Sequence, residues 1–350
     1  MKSALPLAVV LLALTCSCAP GEDPPARTRP AALAGQWYPS DPDALRGAVQ
    51  RYMAGEGARA EGRLAALVVP HAGYVYSGAV AGSAWRLVPR GAFDRVVLLG
   101  PSHYGRFAGF SLPETDAFAT PLGAVRLDAT ACDALRAHPL HARADRAHDP
   151  EHCIEIQLPF LQAVLPEARI VPILIGAVGG ESATGIAAAL AAQVTPRTLV
   201  VISTDFTHYG PNFDYVPFRA DVAANLRKLD MGAVEKILAR DGPGFDAYCA
   251  ETQATICGRG PISILLRMLA AESRGVLVKY DTSGRMTGDY STSVSYVSLA
   301  FTLPATSASA GGLTDAEKRF LLRLARQSIE QRLTGGRAPE PDLSAFGPQS

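Results

Sequence analysis

The chain has 350 residues, enough for one large or two medium domains, and 48% apolar with 19% charged residues is an ordinary balance for a globular protein with a sizeable core. Thirty-three basic and 33 acidic residues cancel. Net charge therefore gives no argument for a nucleic-acid or acidic-lipid partner, and no nucleic acid is expected.

Residues 1–18 carry one early charge, Lys2, and an apolar run from Ala4 to Leu14 that is too short to span a bilayer. This reads as a cleaved export signal. Cys16 and Cys18 at its end look like a lipoprotein cleavage site, so the protein is expected to be exported, either to a bacterial periplasm or held at the membrane through an N-terminal lipid. A misassigned start codon would leave it cytoplasmic. Residues 19–30, rich in Pro, Arg and Asp, read as a tether without fixed structure. Beyond them lie Cys132, Cys153, Cys249 and Cys257, with no CxxC pair. Disulfides, free thiols and metal-bound thiols all stay open.

The main domain is expected over 31–303. A helix is predicted near 42–53, opened by Ser40 or Asp41 as cap. Leu64 to Val69 is an unbroken apolar strand that stops at Pro70 and delivers His71 onto a Gly-containing loop. Ser77 to Leu87 reads as a helix and Arg95 to Gly100 as a second strand, a strand-helix-strand unit of the length that parallel pairing requires. Gly109 to Leu112 and Gly123 to Leu127 form a hairpin-like excursion, and Thr130 to Ala137 and Cys153 to Leu165 read as helices. Arg169 to Ile175 is a strand whose Pro172 argues for an edge or bulged position. Glu181 to Ala192 is helical, Thr198 to Ser203 a strand, and Asp221 to Arg240 and Gly260 to Ala270 are helical. Gly275 to Tyr280 and Ser293 to Leu303 close the sheet. The fold class is α/β with a mostly parallel central sheet and helices on both faces. Residues 304–312 are a linker by composition, and 313–350 contain an amphipathic helix, with Thr314 and Glu317 as a capping box, and a Pro-rich tail.

Three strand-like runs each release a histidine a few residues past their ends: His71, His103 in GPSHYG and His208 in STDFTHYG. In parallel sheets ligands sit beyond the carboxyl ends of the strands, where all three fall. Imidazoles with a third donor make a common open metal site, although each histidine could instead only cap a strand end. Asp205, three residues before His208, fits a role in orienting that imidazole or in capping the next turn. HDPEHCIEIQLPF concentrates His152, Glu151 and Glu155, with dipole compensation at a helix start as the plain alternative. Cys257 precedes a helix opening on Gly-Arg-Gly-Pro, a place that suits a ligand or an inert buried thiol. Arg259 is a candidate for a substrate carboxylate or phosphate.

The ordered blocks PHAGYVYSG, LLGPSHYG, HDPEHCIEIQLPF, STDFTHYG and TICGRGPI resemble the Memo family, also known as AmmeMemoRadiSam system protein B, from about Gly35 to Leu303. The resemblance implies a fold like that of class III extradiol dioxygenases and a metal site made by His71, His103 and Cys257. It also implies an acid/base role for His208, with Asp205 beside it. Cys257 stands where the dioxygenases carry a carboxylate ligand, which favours copper or a differently tuned iron. Gln157 and Gly260 stand where some relatives have histidine. The tail resembles the first helix of an AMMECR-type domain, cut short.

The expected function is a Memo-like metalloprotein holding one copper or iron ion at His71, His103 and Cys257. Redox or dioxygenase-type chemistry on a small molecule would follow, with His208 and Asp205 as catalytic groups and Tyr74, Tyr104, His152, Glu155 and Arg259 as substrate contacts. A non-enzymatic module binding a peptide or an anion in the same cleft, and a hydrolase using metal-bound water, are the competing readings.

Overall fold

The computed structural model describes residues 27–55 and 57–304. The expected export signal with Cys16 and Cys18, most of the linker, and the helix and tail at 313–350 lie outside these residues.

The chain begins with β1 (Thr28–Arg29), α1 (Pro42–Met53), β2 (Arg63–Val69), α2 (Tyr74–Trp85) and β3 (Arg95–Pro101). Asp41 caps α1, its side chain accepting from Ala44 N at 2.8 Å, and Pro42 fills the first turn, where no N–H is needed. The expected tether stops short of 30, because Thr28 and Arg29 pair with a later strand and Arg29 is buried. An excursion follows: β4 (Phe110–Ser111), β5 (Ala117–Thr120) and β6 (Gly123–Arg126), with β1, β5 and β6 forming a small separate sheet.

Next come α3 (Ala129–Arg136), α4 (His152–Glu155), α5 (Leu158–Val164), β7 (Arg169–Ile175), α6 (Gly180–Ala191), β8 (Thr198–Ser203) and β9 (His208–Tyr209). The single helix predicted over 153–165 is thus two, broken at Ile156–Gln157. Pro159 lies just past the break, and a proline starts a helix more readily than it continues one. The remainder is α7 (Val222–Leu238), α8 (Gly242–Thr252), α9 (Arg259–Met268), β10 (Arg274–Thr282), α10 (Ser283–Thr287) and β11 (Ser293–Leu303). Among the described residues no helix is long and apolar enough to cross a membrane.

The main sheet runs β10-β11-β2-β8-β3-β7-β4. Its centre, β2, β8, β3 and β7, is parallel, while β10, β11 and β4 pair antiparallel to their neighbours. The fold is α/β as expected, but the sheet is of mixed orientation rather than mostly parallel. An apolar run carries no sign of its direction. The connection does: only residues 283–292 separate β10 from β11, too few for a crossover. From Val96 to Pro101 every residue of β3 is buried, so both faces of the sheet are covered. Each fully buried valine or leucine there contributes about 1.5–3 kcal/mol, which makes the centre a firm platform for the loops at its edge. Pro172 is not on the edge strand. It falls in a gap on the outer side of β7, where pairing is confined to Ile170 and to Leu174–Ile175.

Because β2, β8 and β3 are parallel neighbours in register, Val69 opposite Ser203 and Leu99 opposite Ile202, their carboxyl ends open on one side. The residue two positions past each end is His71, Asp205 and His103 respectively. His208 lies further along, on β9, paired with Val294 of β11.

Candidate metal centre

The orientation of His71 follows from a chain of buried hydrogen bonds, each with one allowed direction. Trp85 Nε1–H, a donor only, gives to Gln157 Oε1 at 3.1 Å, so the Gln157 amide nitrogen faces the other way. That nitrogen donates to Pro70 O and to Ser203 Oγ, both at 2.9 Å. Ser203 gives its single hydroxyl proton to Cys153 O at 2.6 Å and has one lone pair left. His71 Nδ1, 3.2 Å away, must therefore be the donor to Ser203. The Nε2 lone pair of His71 is left facing Cys257 Sγ at 3.2 Å.

His103 is held by one carboxylate. Glu151 accepts from His103 N and from His103 Nδ1, each at 2.8 Å, and also caps α4 by accepting from His152 N at 3.0 Å and Cys153 N at 3.2 Å. Burial alone would raise the pKa of Glu151, but the hydrogen bonds and charge of His103 hold it down to about 2. A neutral His103 then has its proton on Nδ1 and its lone pair on Nε2. This is the carboxylate–histidine arrangement that orients metal ligands and raises their basicity.

The third donor, Cys257, lies in the turn just before α9. Asp205 N–H points at Cys257 Sγ at 3.2 Å. Gly258 allows the close approach, since a Cβ there would lie 2.3 Å from Thr204 Cβ. One ligating atom from each of His71, His103 and Cys257 falls within 4.8 Å of the others. His103, Glu151 and Cys153 satisfy the same distance, but Glu151 is saturated by its four donors and the Cys153 thiol donates to Pro101 O at 3.3 Å. That second group supports the first.

Burial, and then the neighbouring His152 and His103, push the His71 pKa well below its usual range. Burial and then the charge of Asp205 push the Cys257 thiol up to about 12. At these two positions the protein alone thus offers neutral donors. To hold a cation, the Cys257 thiol would give up its proton and serve as a thiolate ligand. Two imidazole nitrogens and one sulfur form a donor set that suits borderline-soft metals.

Residues 29–300 match the family described as Memo-like protein. The chain is 36% identical to a MEMO1 family protein of Methanopyrus kandleri over 289 residues, covering 78% of this chain and 98% of that one. The chain belongs to the Memo family. It is also 34% identical to the protein memo-1 homolog of Caenorhabditis elegans over 291 residues, 77% of this chain and 81% of that one. Among solved structures, an uncharacterized protein of Escherichia coli K12 covers 68% of this chain and 99% of its own at 14% identity, with a TM-score of 0.43.

Four of the five Memo-like blocks line one cleft of about 690 Å3, a size that suits a small organic ligand; Cys257, from the fifth block, is not among its lining residues. His71, His103, His152, Asp205 and His208 all line it. His152 stacks on His103 with ring centroids 4.3 Å apart and is itself covered by Trp37 at 4.7 Å. His208 donates from Nδ1 to Thr255 O at 3.0 Å, so its neutral ring carries the Nε2 lone pair. Asp205 is therefore not the hydrogen-bond partner that orients His208, as its spacing in STDFTH had implied. Its carboxylate accepts the His71 backbone N–H at 2.8 Å and reaches His208 only through its charge.

Four expected substrate contacts are placed elsewhere. Tyr74 is buried and packs on Phe160, its hydroxyl donating to Ile156 O at 2.9 Å. Glu155 is buried among Arg29, Tyr38 and the backbone N–H groups of Ala32 and Leu33, every one of them a donor to its carboxylate. Arg259 is exposed and interacts with Cys249. Tyr104 is exposed and does not line the cleft, its ring 6.5 Å from that of His103. Sequence reasoning passed over Ser203 and undervalued Glu151. The signal for Glu151 was its position just before His152 at a helix start, where an acid caps backbone N–H groups.

Proposed function

We propose that the cleft is the reaction site of a metal-dependent oxidoreductase, in which one copper or iron ion is held by His71 Nε2, His103 Nε2 and Cys257 Sγ. The observation that carries this reading is the convergence of those three atoms, each with its other partners already fixed. Such an ion, when bound, supplies a change of oxidation state and open coordination positions for a small molecule. The chain's own groups do the rest. Glu151 and Ser203 hold the two imidazoles in one tautomer. His208, with its Nε2 lone pair on the cleft wall, takes and returns a proton. His152 and Trp37 close one side and exclude water.

Purified protein should contain close to one copper or iron per chain and consume oxygen with a phenol or catechol panel. The His71→Ala, His103→Ala double variant should lose both. Full metal content in that variant would sink the assignment, and metal-replete protein without oxygen uptake would leave a binding role alone. That second reading draws on Val75, 78% exposed at the cleft mouth, which suits an apolar ligand or peptide side chain held without turnover.

A further inference from the structure

α7 carries an acid on its buried stripe. Leu226, Ala233, Val234 and Ile237 form that stripe, and Asp230 lies among them at helical spacing, itself fully buried. An amphipathic helix ordinarily puts an aliphatic side chain there. A carboxylate in that place gives up its water, a heavy cost unless a cation or a set of donors replaces it. Asp230 is met by neutral donors: Thr207 Oγ1 at 2.6 Å and Thr207 N at 3.3 Å reach Oδ1, and the Tyr280 hydroxyl reaches Oδ2 at 2.8 Å. Arg227 lies over the Tyr280 ring, 5.1 Å from its centre, instead of pairing with the carboxylate. Burial raises the pKa of Asp230, and its hydrogen-bond donors oppose that rise.

The segment that Asp230 grips leads directly into the cleft. Thr207 is fully buried and bonded to α7, whereas the next residue, His208, lines the cleft. Two bonds to β11 hold the backbone here, Phe206 N–H to Ser295 O at 2.8 Å and Ser295 N–H to Thr207 O at 2.9 Å. Consecutive side chains of an extended segment point to opposite faces, so fixing Thr207 on one side sets the direction of His208 on the other. On the cleft side the His208 ring is met by Thr255, which lies in the loop between α8 and α9. Asp230, in the middle of a 17-residue helix, is the firmer of the two anchors.

We propose that Asp230 is a positioning residue: through Thr207 it holds the His208 ring in one tautomer with Nε2 toward the cleft. The role rests on the reading of His208 as the group that takes and returns a proton, but the placement is measurable without metal or substrate. Tyr280, on the other carboxylate oxygen, ties α7 to β10 and does not place His208.

The test reads the histidine rings of full-length, metal-free, isotope-labelled protein by long-range proton–nitrogen NMR at pH about 8, where histidine is ordinarily neutral. His208→Gln identifies the His208 signals by their loss. In the unaltered protein these signals should show one tautomer, protonated at Nδ1. Asp230→Val removes the acceptor, and Thr207→Val removes the hydroxyl donor with little change of shape. Both should shift and broaden the His208 signals as the ring exchanges between tautomers. Tyr280→Phe removes a bond from the same carboxylate, and it should lower the urea midpoint while leaving the His208 signals in place. Loaded with copper or iron, Thr207→Val should keep its metal content and lose oxygen uptake by about tenfold or more, the scale of a displaced acid/base group. Unchanged His208 signals in Thr207→Val, an equal change in Tyr280→Phe, or full oxygen uptake in Thr207→Val would overturn the proposal; Thr207→Val decides the matter where Asp230→Val does not fold. Failure of the reaction reading is separate, since it appears as metal-loaded, unaltered protein that consumes no oxygen while the tautomer result stands.

Discussion

His71 Nε2 meets Cys257 Sγ at 3.2 Å across 186 positions of sequence, and the same sulfur lies 3.4 Å from Asp205 O. His71 is pinned from behind by Ser203, and Cys257 is met by the Asp205 N–H. The pair is the core of the proposed site, and the network behind it gives the following expected outcomes.

Glu151→Gln keeps an acceptor oxygen but removes the charge that faces His103 Nδ1 and two backbone N–H groups of α4. Metal affinity should fall about 10–100-fold, the usual cost of losing an outer carboxylate, with the fold intact. Titration of the metal-free variant with copper or zinc checks this. Affinity equal to wild type would mean that His103 needs no orienting partner.

Metal binding should release protons. The metal-free Cys257 thiol, held up to about 12 by burial and Asp205, is protonated at neutral pH and must lose that proton to become a ligand. Apparent affinity should therefore rise by up to about tenfold per pH unit between pH 6 and 8. Titrations in buffers of different ionisation heat would count the protons, and Cys257→Ser should remove one of them.

Glu155→Ala should destabilise the fold by about 3–5 kcal/mol, because it leaves the buried Arg29 guanidinium without its carboxylate. The same change frees residues 29–38, so Trp37 should lose its contact with His152. Urea denaturation followed by tryptophan fluorescence reads both effects. A ligand-binding defect at unchanged stability would return Glu155 to the role of substrate contact.

Acid should weaken the fold well above the carboxylate range. Burial lowers the pKa of His148 to about 3 and that of His152 to about 4, so each is neutral when folded and takes up a proton when unfolded below about 6.5. The unfolded state binds more protons in that window, and stability falls as pH drops from about 6.5 toward 4, by about 1 kcal/mol per pH unit for each histidine. Denaturation midpoints at pH 7 and pH 5 test this. His148→Phe, at a residue that is not one of the proposed ligands, should flatten part of the slope.

Much of this site was legible in the sequence because strand ends announce themselves. The runs before Pro70, Ser102 and Thr204 are apolar and uninterrupted, and each stops where a polar side chain is delivered to the sheet edge. Direction and pairing were not legible. The antiparallel β10–β11 edge depends on the short connection through α10, and the predicted single helix at 153–165 broke where Gln157 turns inward. Partner choice was hidden for a different reason. Asp205 and His208 are three apart in sequence, yet their hydrogen bonds go to His71 and Thr255, 134 and 47 positions away. Tyr74 and Glu155 carry polar atoms that read as site groups, and only packing shows those atoms satisfied inside the core.

The most direct test of the central claim is X-ray absorption at the edge of the metal bound by purified protein. One sulfur at about 2.3 Å and two imidazole nitrogens at about 2.0 Å are expected, with the sulfur lost in Cys257→Ser. A metal bound with no sulfur neighbour, or with a sulfur that survives Cys257→Ser, would contradict the site built from His71, His103 and Cys257.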